Sequence, residues 1–280
     1  MTTLSRESDE LRALADIAAI ARSVAGLSPE ATRPDFLRAR LSARIRAVKC
    51  TDFRSYVRLI SPPEAGLERQ RLIGALTTNH SAFFREPHHF VRLRQDLLPP
   101  LLDQARAGAP LRFWSAGCAA GQEPYSLAMT TLDLMPDAHR YDIRILASDI
   151  DPSILVRARS GVLCQASLTR IAAHDALHHA KVDAKPPVLR PEVRALVQVR
   201  HLNLMSSWPM RRRFAVIMCR NVLIYLAPDA RDRLLARFAH ALAPGGWLFL
   251  GHAERLSGPA ITQFSARGGT AFQLSVARDA

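Results

Sequence analysis

The stretch FWSAGCAAGQEPYSLAM, Phe113 to Met129, narrows the folds open to this chain more than any other segment. An apolar run, Leu111, Phe113 and Trp114, stops at the small-residue segment SAGCAAG, and a periodic apolar segment begins immediately after Glu123-Pro124. That order is strand, glycine loop, helix, the opening unit of a doubly wound α/β sheet. Gly117 and Gly121 lack Cβ atoms, so the loop can turn sharply and let a ligand lie against its backbone. Their spacing is G-x-x-x-G, not the G-x-G-x-x-G that seats a dinucleotide pyrophosphate on a helix N-terminus. Glu123 sharpens the distinction, because a carboxylate at the helix start repels phosphate. It suits a ligand with hydroxyls and an ammonium group, such as S-adenosylmethionine.

Strands and helices alternate beyond this unit. Ile143 to Ala147 reads as a strand ending at Ser148-Asp149, and Pro152 to Ser160 as a helix with Gly161 past its end. Leu196 to His201 and Arg213 to Met218 are a third and a fourth strand, and Pro228 to Leu242 is a helix. Pro244-Gly245-Gly246 turns into a fifth strand, Trp247 to Leu250, and Ile261 to Val276 holds a hairpin around Gly268-Gly269. Such alternation predicts a largely parallel sheet between helices over residues 111–280. The stretch from Val162 to Arg194 is too long for a simple connection and is expected to be an insertion.

Residues 9–76 read as an N-terminal helical domain. Leu11, Leu14, Ala15, Ala18 and Ala21 fall at helical spacing, as do Leu37, Leu41, Ile45 and Val48, with turn signals at Ser28-Pro29 and Ser61-Pro62-Pro63. Residues 77–110 form a linker that carries the polar motif TTNHSAFFREPHHF, then a helix from His88 to Ala107 and the Gly108-Ala109-Pro110 break.

Charge and cysteine usage bound the partners and the compartment. The 280 residues carry a formal charge of +13, almost all from arginine, since Lys49, Lys181 and Lys185 are the only lysines. A strongly basic chain prefers acidic partners. Between Arg33 and Arg58 eight basic residues, Arg38, Arg40 and Arg44 among them, stand against Asp35 and Asp52, which marks either a docking face or the solvated outside of a helical bundle. The longest apolar candidate, Leu11 to Leu27, is interrupted by Arg12, Asp16 and Arg22, so no membrane insertion is expected. The N-terminus lacks the pattern of a secretory signal. Cys50, Cys118, Cys164 and Cys219 are far apart and read as reduced, mostly buried thiols of a cytoplasmic protein.

Polar residues gather where the strands end. Asp149 closes the second strand, where open α/β sheets bind their ligands, and its carboxylate can accept from two ribose hydroxyls. Asp151 is better placed to cap the helix at Pro152. After the third strand, Asn203-Leu204 offers an amide and an apolar side chain to bracket an adenine. After the fourth, CRNVLIYL brings Arg220, Asn221 and Tyr225 to the same edge. Arg85 follows two phenylalanines, and an arginine there can hold a carboxylate bidentately. His88-His89 and His174, His178 and His179 read as surface or linker histidines, because no cysteine or carboxylate joins them at ligand spacing; no metal is expected.

TTNHSAFFRE, WSAGCAAGQEPYSLAM, ASDIDPSIL, CRNVLIYL and GWLFLGHAE resemble, in order and approximate spacing, the CheR-type chemoreceptor glutamate methyltransferases over nearly the whole chain. The resemblance implies a small helical domain followed by a Rossmann-like, S-adenosylmethionine-binding α/β domain with a small antiparallel subdomain inserted at about 162–194. It implies cofactor contacts at Asn79, Ser81, Arg85, Gly117, Glu123, Asp149, Asn203, Leu204, Arg220 and Asn221, with Tyr225 near the methyl donor. Arg85 and Tyr225 are then the catalytic candidates, Arg85 serving either the substrate carboxylate or that of the cofactor. Ala120, Gln122 and Ala253 depart from the family pattern, and the insertion lacks its usual aromatic residues.

The implied reaction moves a methyl group to a glutamate carboxylate of a methyl-accepting receptor, giving a γ-methyl ester. The implied partner is an acidic helical cytoplasmic region of that receptor, met by a monomer through Arg38, Arg40 and Arg44. A nucleic-acid methyltransferase is the rival suggested by charge, but the chain lacks an N-P-P-[YFW] motif and a C-x-x-C ribbon and has few aromatics for base stacking. A non-catalytic cofactor-binding scaffold is a second rival, against which stand intact Asn79, Arg85, Glu123, Asp149 and Tyr225.

Overall fold

The computed structural model describes residues 3–275; Val276, the expected end of the tail hairpin, and the rest of the C-terminus lie outside the described residues. Four helices open the chain: α1 (Thr3–Ala25), α2 (Pro34–Ala47), α3 (Phe53–Ile60) and α4 (Gly66–Leu76). Their apolar stripes close on a core of their own, with Leu14, Ile17, Leu37, Leu41, Tyr56, Ile60 and Leu72 fully buried. Asp52 caps α3, its carboxylate accepting from the Ser55 amide at 2.7 Å while the Ser55 hydroxyl accepts from the Asp52 amide.

The connecting segment is not one regular helix. It runs through α5 (Pro87–Arg92), a π-helical turn at Leu93–Leu97, and α6 (Leu98–Arg106). Pro99 and Pro100 have no amide hydrogens to donate back into the preceding turn, and the turn widens there.

The α/β part contains β1 (Leu111–Ala116), α7 (Gln122–Leu134), β2 (Ile143–Asp149), α8 (Pro152–Ser160), α9 (Gln165–Ala172), β3 (Ala180–Lys181), β4 (Val188–Leu189), α10 (Pro191–Leu196), β5 (Val197–His201), β6 (Phe214–Cys219), α11 (Pro228–Ala241), β7 (Leu242–Leu250), α12 (Ala260–Gln263), β8 (Phe264–Ala266) and β9 (Ala271–Leu274). Seven strands form one sheet in the order β5-β2-β1-β6-β7-β9-β8. The first five are parallel, and the final hairpin adds β9 antiparallel to β7. From β1 the chain moves outward through β2 to β5, then returns to start again on the other side at β6. That reversal opens a crevice at the carboxyl ends of β1 and β6.

Phe113, Ile143, Ile145, Val216, Met218 and Phe249 line one side of the sheet, and Trp114, Ile217, Leu234, Phe238 and Leu248 the other. Both faces are covered at the centre of the sheet, so β6 reads as a continuous apolar run, whereas the edge strand β5 alternates with exposed polar residues. β7 begins earlier than its apolar core suggests, at Leu242, and its pairing with β6 shifts register between Phe214 and Val216. The Pro244-Gly245-Gly246 turn is therefore an irregularity inside the strand. The insertion folds as α9, a 3-10 turn at Leu177–His179 and the two-stranded antiparallel pair β3–β4. Cys118 and Cys219 are buried, Cys50 is half-buried and Cys164 is exposed, so only half of the thiols match the expected burial.

Candidate active site

A cleft of about 220 Å³ lies between the helical part and the carboxyl ends of the strands. Asn79, Ser81, Arg85, Gly117, Glu123, Asp149, Asn203, Leu204, Arg220, Asn221 and Tyr225 all line it, though they come from five separate segments of the sequence. The two parts of the chain are joined at its rim. The Ser28 amide donates to the Tyr225 carbonyl at 2.8 Å, the Ala227 amide to the Gly26 carbonyl at 2.8 Å, and the Asn203 side-chain amide to the Val24 carbonyl at 2.7 Å. The Asn79 side-chain amide donates to the Asp151 carboxylate at 3.1 Å, and Asp151 also caps α8 through the Ser153 amide. Asn79 and Asn203 thus hold the walls of the cleft as well as lining it.

The glycine loop and the β2 terminus are built against each other. Gly117 has a φ of +85°, and a Cβ there would lie 2.4 Å from Cγ2 of Val222, so a side chain would drive the loop into the floor of the cleft. Ala119 is also left-handed, at φ +48°. Its amide donates to Oδ2 of Asp149 at 2.9 Å, and the Asp151 amide donates to Oδ1 at 3.0 Å. Each carboxylate oxygen keeps a further acceptor position. Burial raises the Asp149 pKa, and these two amide bonds work against the rise.

At the floor, Arg220 lies between two carboxylates. It reaches Oε2 of Glu123 at 3.1 Å and Oε2 of Glu86 at 3.2 Å, and it donates to the Arg85 carbonyl. Ser115 at the end of β1 donates to the other oxygen of Glu123 at 2.6 Å. Glu123 therefore reaches the cleft with both oxygens engaged. Burial raises its pKa and Arg220 opposes this. For Glu86 burial also acts upward, but Arg220 and His252 outweigh it and the net shift is downward. Two carboxylates and one guanidinium leave the group net anionic, and Asp149 adds to that field. Such a site favours a cationic ligand over a phosphate.

Arg85 is held differently. It stands between Phe84 (φ +52°) and Glu86 (φ +56°), two left-handed non-glycine residues. Phe83 and Phe84 are buried, the Phe84 amide donates to the Ser126 hydroxyl at 2.9 Å, and the Phe84 ring stacks on His174 at 4.5 Å. With this anchoring the Arg85 guanidinium projects into the cleft, where it makes one bond, to the His80 carbonyl at 3.2 Å.

Glu254 has an important part that sequence reading missed. It is buried, and its carboxylate accepts from the amides of Gly251 (2.6 Å), Leu223 (2.7 Å) and Asn221 (2.9 Å). This fixes Asn221 at φ +62° and carries the 3-10 turn that presents Tyr225. GWLFLGHAE contains Glu254, but nothing in its spacing shows that it binds a loop some thirty residues earlier. Glu86, which sequence reading did not single out, is the second partner of Arg220.

The basic residues of α2 do not act as one free patch. Arg44 is engaged bidentately by Glu68, which also accepts from the Tyr56 hydroxyl. Arg38 pairs with Glu10 at 2.7 Å and Asp35 at 2.8 Å. Arg40 is exposed and donates to the Thr78 hydroxyl at 2.7 Å, at a residue that lines the cleft. Two of the histidines also differ from expectation: His89 and His179 are buried, His89 against Glu86 three residues before it and His179 against Asp133, which is far away in sequence.

The donors fit S-adenosylmethionine. Asp149 offers acceptors for ribose hydroxyls, Ile150, Leu202 and Leu204 offer apolar surface to a purine, the net anionic group suits the ammonium and sulfonium charges, and Arg85 can take a carboxylate. Fold and site together are those of an S-adenosylmethionine-dependent methyltransferase. Residues 79–272 match the CheR methyltransferase SAM binding domain and residues 12–77 the CheR methyltransferase all-alpha domain. The chain is 40% identical to a probable chemotaxis protein methyltransferase of Rhizobium etli, over 90% of this chain and 96% of that protein. It is 36% identical to the chemotaxis protein methyltransferase of Escherichia coli, over 86% of this chain and 83% of that protein. The chain belongs to the CheR methyltransferase family.

Proposed function

We propose that this enzyme methylates glutamate side chains on the acidic helical cytoplasmic region of a methyl-accepting chemoreceptor, forming γ-methyl esters in chemotaxis-type signalling. The observation that carries the choice of a carboxylate substrate is the state of the two arginines in the cleft. Arg220 is already paired with both Glu86 and Glu123, whereas Arg85 has no carboxylate partner among the described residues and faces the open volume. A cationic fork with one bond to a carbonyl is suited to hold an acidic side chain or the cofactor's own carboxylate.

When bound, S-adenosylmethionine supplies an electrophilic methyl group on a sulfonium. A glutamate carboxylate is already ionised at neutral pH, so the chain needs no strong general base. Its residues have instead to align, orient and exclude water. Asp149, Asn203 and Leu204 hold the nucleoside end, and Asn79 and Ser81 close the wall above it. Arg85 fixes a carboxylate, and the Tyr225 hydroxyl orients the attacking oxygen. In this reading the enzyme is a cytoplasmic monomer that binds no nucleic acid. Its units are residues 9–76, the linker 77–110, and 111–280 with the insertion at about 162–194. No helix among the described residues is long and apolar enough to cross a membrane.

The test is a pair of variants assayed for cofactor affinity, turnover and melting temperature. Arg85→Lys is expected to stay impaired, since an ammonium cannot reproduce a planar two-pronged contact. Tyr225→Phe is expected to lower turnover with cofactor affinity nearly unchanged. Lower melting temperature with normal specific activity would reduce both residues to packing elements.

A further inference from the structure

A second group of ligating side chains lies away from the cleft, where the insertion meets α7. Asp133 is in the last turn of α7, and His178 and His179 end the 3-10 turn that leads into β3. Nε2 of His179 lies 2.7 Å and Nε2 of His178 3.1 Å from the same oxygen, Oδ1 of Asp133. The ligating atoms all fall within 4.8 Å of one another. Oδ2 of Asp133 is taken by Arg94, from the π-helical turn. Asp133 and His179 are largely buried, while His178 is exposed and leaves the group open to solvent on one side.

We propose that Asp133, His178 and His179 form a binding site for a divalent transition-metal ion, Zn²⁺ being the probe of choice. Two imidazoles and one carboxylate are the donor set of such ions, whereas Mg²⁺ and Ca²⁺ prefer oxygen throughout. Metal–ligand bonds of 2.0–2.1 Å put tetrahedral ligands about 3.3 Å apart. The His178 contact is already near that value, and the His179 contact needs to open by about half an ångström. Without a metal, two neighbouring rings 4.0 Å apart direct both Nε2 atoms at a single oxygen. A metal would replace that convergence by one central charge, bound through deprotonated Nε2 atoms. Arg94 fits this arrangement, since a ligating carboxylate commonly has its second oxygen hydrogen-bonded by a neighbour.

The other histidine–carboxylate group, Glu86 with His88 and His89, is less suited, because Glu86 is committed to Arg220 and His252. Nothing in the methyl-transfer chemistry calls for a metal, and the group lies outside the cleft lining. The ion would instead tie the insertion to the helix whose first turn carries Glu123.

The full-length protein, stripped of metal by chelator, is titrated with Zn²⁺ by calorimetry and with Co²⁺ by visible absorption. One equivalent should bind saturably, raise the melting temperature with metal concentration, and give the ligand-field bands of a nitrogen–oxygen site. His178→Ala, chosen because His178 is exposed and its loss spares the core, should weaken binding by at least about tenfold, and Asp133→Asn similarly. Equal binding in both variants, no saturable binding by the parent protein, or a thiolate-to-cobalt band assigning the metal to exposed Cys164 would overturn the proposal. A fold defect in Asp133→Asn would leave His178→Ala to decide.

Discussion

Asp149 and Arg220 are the two residues around which the cleft is organised, and they do so in opposite ways. Asp149 keeps acceptor capacity after taking two backbone amides, so it is the group best placed to bond ligand hydroxyls. Replacing it with alanine is expected to weaken S-adenosylmethionine binding by roughly one to two orders of magnitude, from the loss of about 1.5–3 kcal/mol of charge-assisted hydrogen bonding. Calorimetry giving the same affinity for Asp149→Ala would remove the ribose from this position. Arg220 is committed to contacts within the protein. Its contacts with Glu86, Glu123 and the Arg85 carbonyl make it the joint between the linker motif, α7 and the β6 terminus. Sequence placed both residues at strand ends, because a polar side chain following an apolar run is a local signal. It did not reveal that Arg220 is shared by two carboxylates, nor that Glu254 holds the Asn221 loop, because those pairings join segments far apart in the chain. The distant pairing of Asp133 with His178 and His179 was illegible for the same reason.

Among the elements, those with local punctuation were the most legible. α8 runs from Pro152 to Ser160 as expected, with Asp151 as its cap and Gly161 in the left-handed conformation behind it. The π turn at Leu93–Leu97 and the early start of β7 depend on how neighbouring elements pack, and periodicity does not report them. α5 carries a pH-dependent contribution of its own. His89 is 1% exposed, between Phe249, the Gly269 carbonyl, Glu86, His88 and Arg220. Burial, reinforced by the positive charge of Arg220, lowers its pKa from 6.5 to about 4. The folded chain therefore keeps His89 neutral while the unfolded chain takes up a proton below pH 6.5. Its contribution is complete above that pH and is lost as pH falls from 6.5 towards 4, by up to about 3 kcal/mol. Denaturant unfolding between pH 7 and pH 4.5 should show this loss, and His89→Gln should flatten the slope. An unchanged slope in that variant would assign the acid sensitivity to other groups.

For the whole molecule, a basic helical part stands beside an anionic cleft, so the proposed docking of an acidic receptor region would use the first while the second keeps a cationic cofactor. The structure refines which charges are free to dock. Arg40 is exposed at the cleft rim, whereas Arg44 is committed to Glu68. Arg40→Glu is expected to slow receptor methylation at low salt while sparing cofactor binding. The difference should shrink near physiological ionic strength, where screening acts over about 8–10 Å. Arg44→Glu should mainly lower the melting temperature, since it sets two carboxylates against each other in a half-buried position. A salt-independent effect of Arg40→Glu would argue against electrostatic docking. The most direct test of the account is transfer of a labelled methyl group from S-adenosylmethionine to a receptor cytoplasmic fragment, followed by mild base. The account predicts label on glutamate side chains that base releases as volatile methanol, and loss of that label with Arg85→Lys. Label that resists base, or that appears on nucleic acid in place of the receptor, would contradict it.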